Sequence, residues 1–212
     1  MKAAIIREPG QGPVFTDLET PVPADGEVSV RVTAAALSHV TRSRASGAHY
    51  SSSGRGQVVP GVDGVGRLDD GRRVHFFMPG APGGSLAETV VVPYSRCTPL
   101  PDDLDDVTAA ALAVPAISSW AALMGRADLP KGDGVLVNGA TGASGRLAVQ
   151  IAKHLGAGRV VATGRDPESL AALAALGADA VISLSDDPNT LATRLEAEFA
   201  VGIDIVPVGP PG

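Results

Sequence analysis

The stretch Gly134-Val-Leu-Val-Asn-Gly-Ala-Thr-Gly-Ala-Ser-Gly145 leaves the backbone few options. Val135, Leu136 and Val137 form an apolar run suited to a strand buried on both faces, and Gly139, Gly142 and Gly145 follow before a helical pattern begins. Strand, tight turn and helix are the predicted order. Glycines at this spacing let the chain turn sharply, approach a diphosphate without Cβ interference and pack the new helix against its strand. The helix's first N–H groups and the positive end of its dipole then suit a phosphate. Glycine makes up 26 of the 212 residues, so the triplet alone says little and the weight falls on its surroundings.

Downstream, strand and helix alternate. Leu147, Ile151 and Leu155 share a helical face that Gly156 can close, and Val160 to Ala162 read as the next strand. Asp166 and Pro167 fit the cap and first position of a helix ending at Gly177. Val181 and Ile182 form a third strand, Leu191, Leu195 and Phe199 stripe a third helix, and Ile203 to Val206 form a fourth strand. This βαβαβαβ order implies parallel pairing with right-handed crossovers.

Upstream the periodicity is that of strands. Lys2 to Arg7 opens the chain, and Val28, Val30 and Val32 alternate with Ser29, Arg31 and Thr33. Ser43 to Gly61 is rich in Gly and Ser and reads as a long loop. Val62 to Leu68, Arg73 to Phe77 and Leu86 to Val92 are short strands parted by Asp-Gly and Pro-Gly turns, as in a small barrel or sandwich. After Pro101 the character changes: Asp105 or Asp106 can cap a helix through the alanine-rich segment, and Pro115 is predicted to break or restart it.

Composition bounds the function. A 44% hydrophobic content is ample for a core. The net charge of −6, with no block of Lys and Arg, argues against nucleic acid and anionic membrane partners. A small-molecule substrate fits, and a homo-oligomer stays open. The single cysteine, Cys97, leaves no internal disulfide or multi-cysteine zinc site and suits a reducing cytoplasm. Val107 to Met124 is apolar but carries Thr108, Pro115, Ser118 and Ser119, and reads as packed helix.

Further phrases stand in a telling order: Met1 to Glu8, Pro60-Gly-Val-Asp-Gly64, Asp70-Gly-Arg-Arg-Val74, Gly84-Ser-Leu-Ala-Glu88, and Asn138-Gly-Ala-Thr-Gly-Ala-Ser-Gly145 running into Ala148-Val-Gln-Ile-Ala-Lys153. This series resembles the medium-chain dehydrogenase/reductase superfamily in its zinc-free, quinone oxidoreductase-like branch. The resemblance implies an α/β plus β fold: an N-terminal GroES-like β domain over residues 1–110, then a partial Rossmann domain, a doubly wound parallel sheet, over residues 111–212. It also implies NADPH as cofactor, with hydride transfer to a quinone or conjugated carbonyl. Where zinc-dependent relatives carry Cys-Gly-x-Asp and Gly-His-Glu, this chain reads Ser38-His39-Val40-Thr41 and Gly61-Val62-Asp63, so no catalytic zinc is expected. Family members normally continue past the fourth strand. The expectation is therefore the adenine and pyrophosphate half of the site, with strand four as a sheet edge prone to self-association. A non-catalytic nucleotide-binding protein is the alternative reading.

The resemblance assigns pyrophosphate binding to Gly139, Ala140, Thr141, Gly142, Ala143, Ser144 and Gly145, with Ala140 in place of the fingerprint's first glycine. At the end of strand two, Thr163, Gly164 and Arg165 replace the acidic residue of NAD-specific folds, and a guanidinium suits a 2′-phosphate. The alternative for Arg165 is a solvated surface charge. Ser169 stands where relatives often carry a phosphate-binding lysine, and Asp166 reads as a helix cap. Ser118 either bonds the cofactor or its own helix. Tyr50, beside His49, is placed in a loop lining the substrate cleft, where its hydroxyl could orient a carbonyl or supply a proton. Ser38 replaces a common asparagine near the substrate. Asp63 reads as a turn residue, and His75 and His154 as strand and helix-surface residues.

Overall fold

The computed structural model describes residues 1–8, 11–47, 58–79, 83–199 and 203–206. The chain divides into two compact units, Met1–Val114 and Pro115–Gly212.

The first unit is a β structure. Strands β1 (Lys2–Ile5) and β2 (Val14–Asp17) form an antiparallel hairpin. A five-stranded antiparallel sheet is built from β3 (Glu27–Ala34), β4 (Asp63–Arg67), β5 (Arg73–Phe77), β6 (Thr89–Pro93) and β7 (Cys97–Pro99), in the order β6-β3-β4-β5-β7. One face carries Val30, Val74, Phe76, Val90 and Val92, all buried, as the alternation in β3 predicts. Three features escape the sequence reading. β2 and β7 are short and lack alternation, and a helix, α1 (His39–Ala45), occupies the start of the segment expected to be loop. Asp63 is not a turn residue: it is the first residue of β4, fully buried, with Oδ2 3.1 Å from His75 Nε2 on β5. The register pairs Asp63 with Phe77, so His75 is its diagonal neighbour on the same face.

Helix α2 (Asp106–Trp120) begins in this unit. Asp105 Oδ1 accepts the Thr108 N–H at 2.9 Å and caps it. Ala109 and Ala110 pack on Val65 of β4. Pro115 neither breaks nor restarts the helix, contrary to expectation: it sits inside α2, where its missing N–H leaves only one rung of the ladder unmade. The helix then widens into a π-type turn over Ala121–Arg126, in which the Ala127 N–H reaches back five residues to the Ala122 carbonyl. By length and composition Asp106–Arg126 could cross a membrane. Ala109 and Ala110 pack as described and Leu123 lies within the core of the second unit, while Val107, Ile117, Trp120 and Met124 are exposed.

The second unit holds the predicted alternation. β8 (Gly134–Val137), α3 (Ala143–His154), β9 (Arg159–Gly164), α4 (Pro167–Ala171), β10 (Ala180–Ser183), α5 (Pro188–Phe199) and β11 (Ile203–Val206) give a parallel sheet in the order β10-β9-β8-β11. The sheet is buried on both sides. Val135, Val137, Val160 and Ala162 face α3, while Leu136, Val161 and Ile182 face Leu191 and Leu195 of α5. The most buried stripe of α3 is Gly145, Ala148, Val149 and Ala152, not the predicted Leu147, Ile151 and Leu155. Small side chains bring the helix axis closer to the sheet, and the larger residues wrap the flanks. Asp166 caps α4 at Ser169 with Pro167 in its first turn, as predicted, but the helix ends at Ala171 and a 3₁₀ turn carries the chain to Gly177. Arg159 on β9 grips Glu198 of α5 with two bonds, at 2.7 and 3.0 Å.

At the start of α2, Arg73 bonds the carbonyls of Pro101, Asp102 and Leu104 and the Asp106 carboxylate at 2.6 Å, and Thr33 donates to the same carboxylate. The two charged side chains are only 15% and 23% exposed, so solvent screens them little. The Thr33 hydroxyl and the Arg73 guanidinium hold the Asp106 carboxyl below its usual range. Asp106→Asn is expected to lower the unfolding free energy at neutral pH by about 1.5–3 kcal/mol. A carboxyl whose folded pKa is depressed stabilises fully above its unfolded value of about 4, and that stabilisation disappears as pH falls through the folded value. Native protein should therefore lose more stability between pH 7 and pH 3 than the variant does, which chemical denaturation at the two pH values measures.

Candidate nucleotide site

The turn between β8 and α3 is shaped by two backbone constraints. Gly139 has φ +72°, in the left-handed region that side chains rarely adopt. A Cβ on Gly145 would stand 2.5 Å from the Ala140 Cα, so only glycine lets the first turn of α3 lie against the end of β8. Ala140 is fully buried at that contact. Gly142 is the opposite case: a Cβ there would meet nothing within 4 Å, so the turn is open on that side.

Gly142 is the N-cap of α3, and among the described residues no side chain caps the helix. The helix's first N–H groups thus lie behind an open glycine with no competing side-chain acceptor among the described residues, which is the electrostatic arrangement that favours an anion. Other donors of the turn are already committed. Gly139 N–H bonds Thr163 Oγ1 at 3.1 Å and Ala140 N–H bonds the Thr163 carbonyl at 2.7 Å. Gly164 is buried, and a Cβ there would collide with the Thr141 methyl at 2.5 Å, so the two strand ends meet closely.

At the end of β9, Arg165 is exposed, and no carboxylate among the described residues pairs with it. The Asp166 carboxylate is committed to its cap: the Ser169 N–H reaches it at 2.8 Å, and the Ser169 hydroxyl and N–H together hold its pKa below the usual range. The end of β9 therefore presents an exposed guanidinium, with the adjacent Asp166 carboxylate already engaged, which suits a phosphate better than a pair of ribose hydroxyls.

The expected site residues are thus distributed unevenly. Gly139 to Gly145, Gly164 and Arg165 converge at the C-terminal rim of β8 and β9. Ser118 lies on α2 and is exposed; its neighbour Ser119 is fully buried and donates to the Ser144 carbonyl at 3.2 Å, tying α2 to the first turn of α3. Sequence spacing could not separate adjacent serines on a helix whose bury-side was unknown. Ser38 is the N-cap of α1, its hydroxyl accepting the Thr41 N–H at 3.2 Å and bonding the Thr41 hydroxyl at 3.1 Å. Tyr50 and His49 lie outside the described residues. Asn138 and Thr163, to which spacing alone assigns no role, hold the turn: Thr163 is 1% exposed and bonds Asn138 Oδ1 at 2.7 Å.

Comparison with known proteins was decisive for the family. The sequence profile of the zinc-binding dehydrogenase family matches residues 143–209. A "probable oxidoreductase" from Mycobacterium abscessus of known structure is 32% identical, with a TM-score of 0.82 over 97% of this chain and 68% of its own. The chain belongs to the medium-chain dehydrogenase/reductase superfamily, with the quinone oxidoreductase-like proteins. The Thermus thermophilus quinone oxidoreductase, solved also in complex with NADPH, is 36% identical with a TM-score of 0.82, over 94% of this chain and 63% of that one. A protein of Emericella nidulans named as a "probable NADPH-dependent quinone reductase" is 31% identical over 189 residues, 74% of this chain. This medium-chain dehydrogenase/reductase spans 53% of that relative's length.

The contrast between Gly142 and Gly145 is testable in this family member. Gly145→Ala should cost about 1–3 kcal/mol of stability, because its methyl meets backbone that cannot step aside. Gly142→Ala should change stability by less than about 1 kcal/mol yet weaken nucleotide binding about tenfold, since its methyl occupies the open approach to the helix N-terminus. Thermal denaturation and nucleotide titration of both variants measure the two effects separately.

Proposed function

We propose that this protein is a cytoplasmic NADPH-dependent oxidoreductase that reduces a quinone or conjugated carbonyl compound without a catalytic metal. The observation that carries the reading is the rim described above: an α3 N-terminus behind an open Gly142, and an exposed Arg165 with no carboxylate partner among the described residues, beside an Asp166 already committed to its helix cap. The glycine turn would hold the pyrophosphate of NADPH, and Arg165 its 2′-phosphate. When bound, NADPH supplies the hydride. The chain's own part is binding and orientation, since no nucleophile or metal ligand set is needed for a hydride acceptor that is already electron-poor. Tyr50 is proposed to orient the carbonyl oxygen or deliver the proton, and Ser38 to shape the same pocket through the start of α1.

The metal-free reading rests on the donor set. Where zinc-dependent relatives carry the Cys of Cys-Gly-x-Asp and the His and Glu of Gly-His-Glu, this chain has Ser38, Val62 and Asp63, and the Asp63 carboxylate is engaged by His75. Dialysed protein is expected to contain well under one zinc per chain by elemental analysis, and turnover is expected to survive a chelator.

Cofactor choice follows from Arg165. NADPH should bind at least about tenfold more tightly than NADH, and Arg165→Ala should remove most of that preference while leaving NADH affinity unchanged. Titration of both nucleotides with both proteins checks this; equal affinities in the native protein would refute the assignment. Oxidation of NADPH by simple quinones, followed at steady state, tests the activity itself.

A further inference from the structure

The Thr163 hydroxyl has one proton to give, and its bonding fixes where that proton goes. Its oxygen accepts the Gly139 N–H at 3.1 Å, and the acceptor its hydrogen meets among the described residues is Asn138 Oδ1, 2.7 Å away. The near atom of the Asn138 amide must then be an acceptor, Oδ1, and the NH₂ group is turned away from Thr163 with two donors. No described residue accepts from that nitrogen, and Asn138 itself is exposed.

The sheet register explains why these residues meet. Val137 pairs with Ala162, so one step further along the parallel strands Asn138 stands beside Thr163. Side chains alternate along each strand, with Val137 and Ala162 facing α3; Asn138 and Thr163 therefore continue the opposite face, beyond Leu136 and Val161. The fixed amide is thus placed at the C-terminal end of β8, between its neighbours β9 and β11, immediately before the glycine turn. In doubly wound sheets this is where the strand order reverses and ligands bind.

Resting on the cofactor reading above, we propose that Asn138 is a nucleotide-binding residue whose amide donates to the diphosphate, and that Thr163 is the positioning residue that holds it in the donating orientation. The Gly139 and Ala140 N–H groups are consumed by Thr163, and the Asn138 NH₂ adds a donor at the strand end of the turn where those two are spent. A diphosphate accepts hydrogen bonds and donates none, which suits a group locked with its donors outward.

The test compares two probes that share an adenosine 2′-phosphate end: 2′,5′-ADP, which has no diphosphate bridge, and 2′-phospho-ADP-ribose, which has one. Calorimetric titration of the native protein should show tighter binding of the second. Asn138→Ala should lose about tenfold in affinity for 2′-phospho-ADP-ribose with little change for 2′,5′-ADP. Thr163→Val should lose a similar increment, and Thr163→Ser, which keeps the hydroxyl, should retain it. In a nitrogen-15 correlation spectrum, the Asn138 side-chain NH₂ signals should shift on adding 2′-phospho-ADP-ribose and stay in place with 2′,5′-ADP. That signature separates a ligand contact from a merely structural role. The inference is overturned if Asn138→Ala binds the diphosphate probe as the native protein does, if both probes weaken equally, or if the side-chain signals do not move. Failure of the native protein to bind either probe would overturn the cofactor reading and this inference with it.

Discussion

The contact between the Gly145 position and the Ala140 Cα governs the second unit. A methyl at residue 145 would stand 2.5 Å from backbone, so the close approach of α3 to the end of β8 exists only because that position has no side chain. Once the helix is seated there, its small residues Ala148, Val149 and Ala152 reach the sheet and are fully buried with Val135, Val137, Val160 and Ala162. Burial of an aliphatic side chain contributes roughly 1.5–3 kcal/mol, so the stripe as a whole outweighs the entropic cost that the glycines impose on the turn. The same seating aims the uncapped end of α3 at the rim of the sheet. Core packing and the placement of the α3 N-terminus at the rim are thus consequences of one steric fact.

Thr163 links that turn to the neighbouring strand. Buried at the end of β9, it receives Gly139 N–H on its hydroxyl and Ala140 N–H on its carbonyl. A turn with one residue at positive φ and open space beside Gly142 has few packing contacts of its own, and these two bonds supply the rigidity that side-chain packing does not. Ser119 does the equivalent for the first turn of α3, where its hydroxyl binds the Ser144 carbonyl. Nucleotide sites depend on such preorganisation, because a loop ordered only on binding would spend part of the interaction free energy on its own ordering.

In the β unit the comparable constraint is electrostatic. Arg73 gathers three carbonyls and the Asp106 carboxylate at the point where the chain leaves the sheet and starts α2. A guanidinium with five donors is suited to this, since it satisfies carbonyls of an irregular segment that has no strand partner. Asp63 and His75 form a second buried polar pair on the same sheet, and Asp63 Oδ1 has no bonding partner among the described residues. Such pairs are costly to break, since the polar group left behind is shielded from water.

The local rules legible in the sequence were those in which one residue type has one physical use. Glycines after an apolar run gave the strand, turn and helix; Asp166-Pro167 gave a cap and first turn; alternation gave β3, and Ile203 to Val206 gave β11. Family phrases extended this to the two-unit architecture. What the sequence could not decide was anything set by a neighbour distant along the chain. Pro115 remains within α2, and the wider turn at Ala121–Arg126 follows it, because helix persistence is a matter of surroundings as well as propensity. Asp63 reads as a turn residue until β5 places His75 diagonally beside it. Ser118 and Ser119 are chemically equal in one dimension, and only the packing of α2 on α3 makes one exposed and the other a buried donor. Asn138 and Thr163, 25 residues apart, acquire a joint role solely through parallel register. Sequence fixes periodicity and backbone permission; which hydroxyl faces which amide is decided by the sheet that brings the strands together.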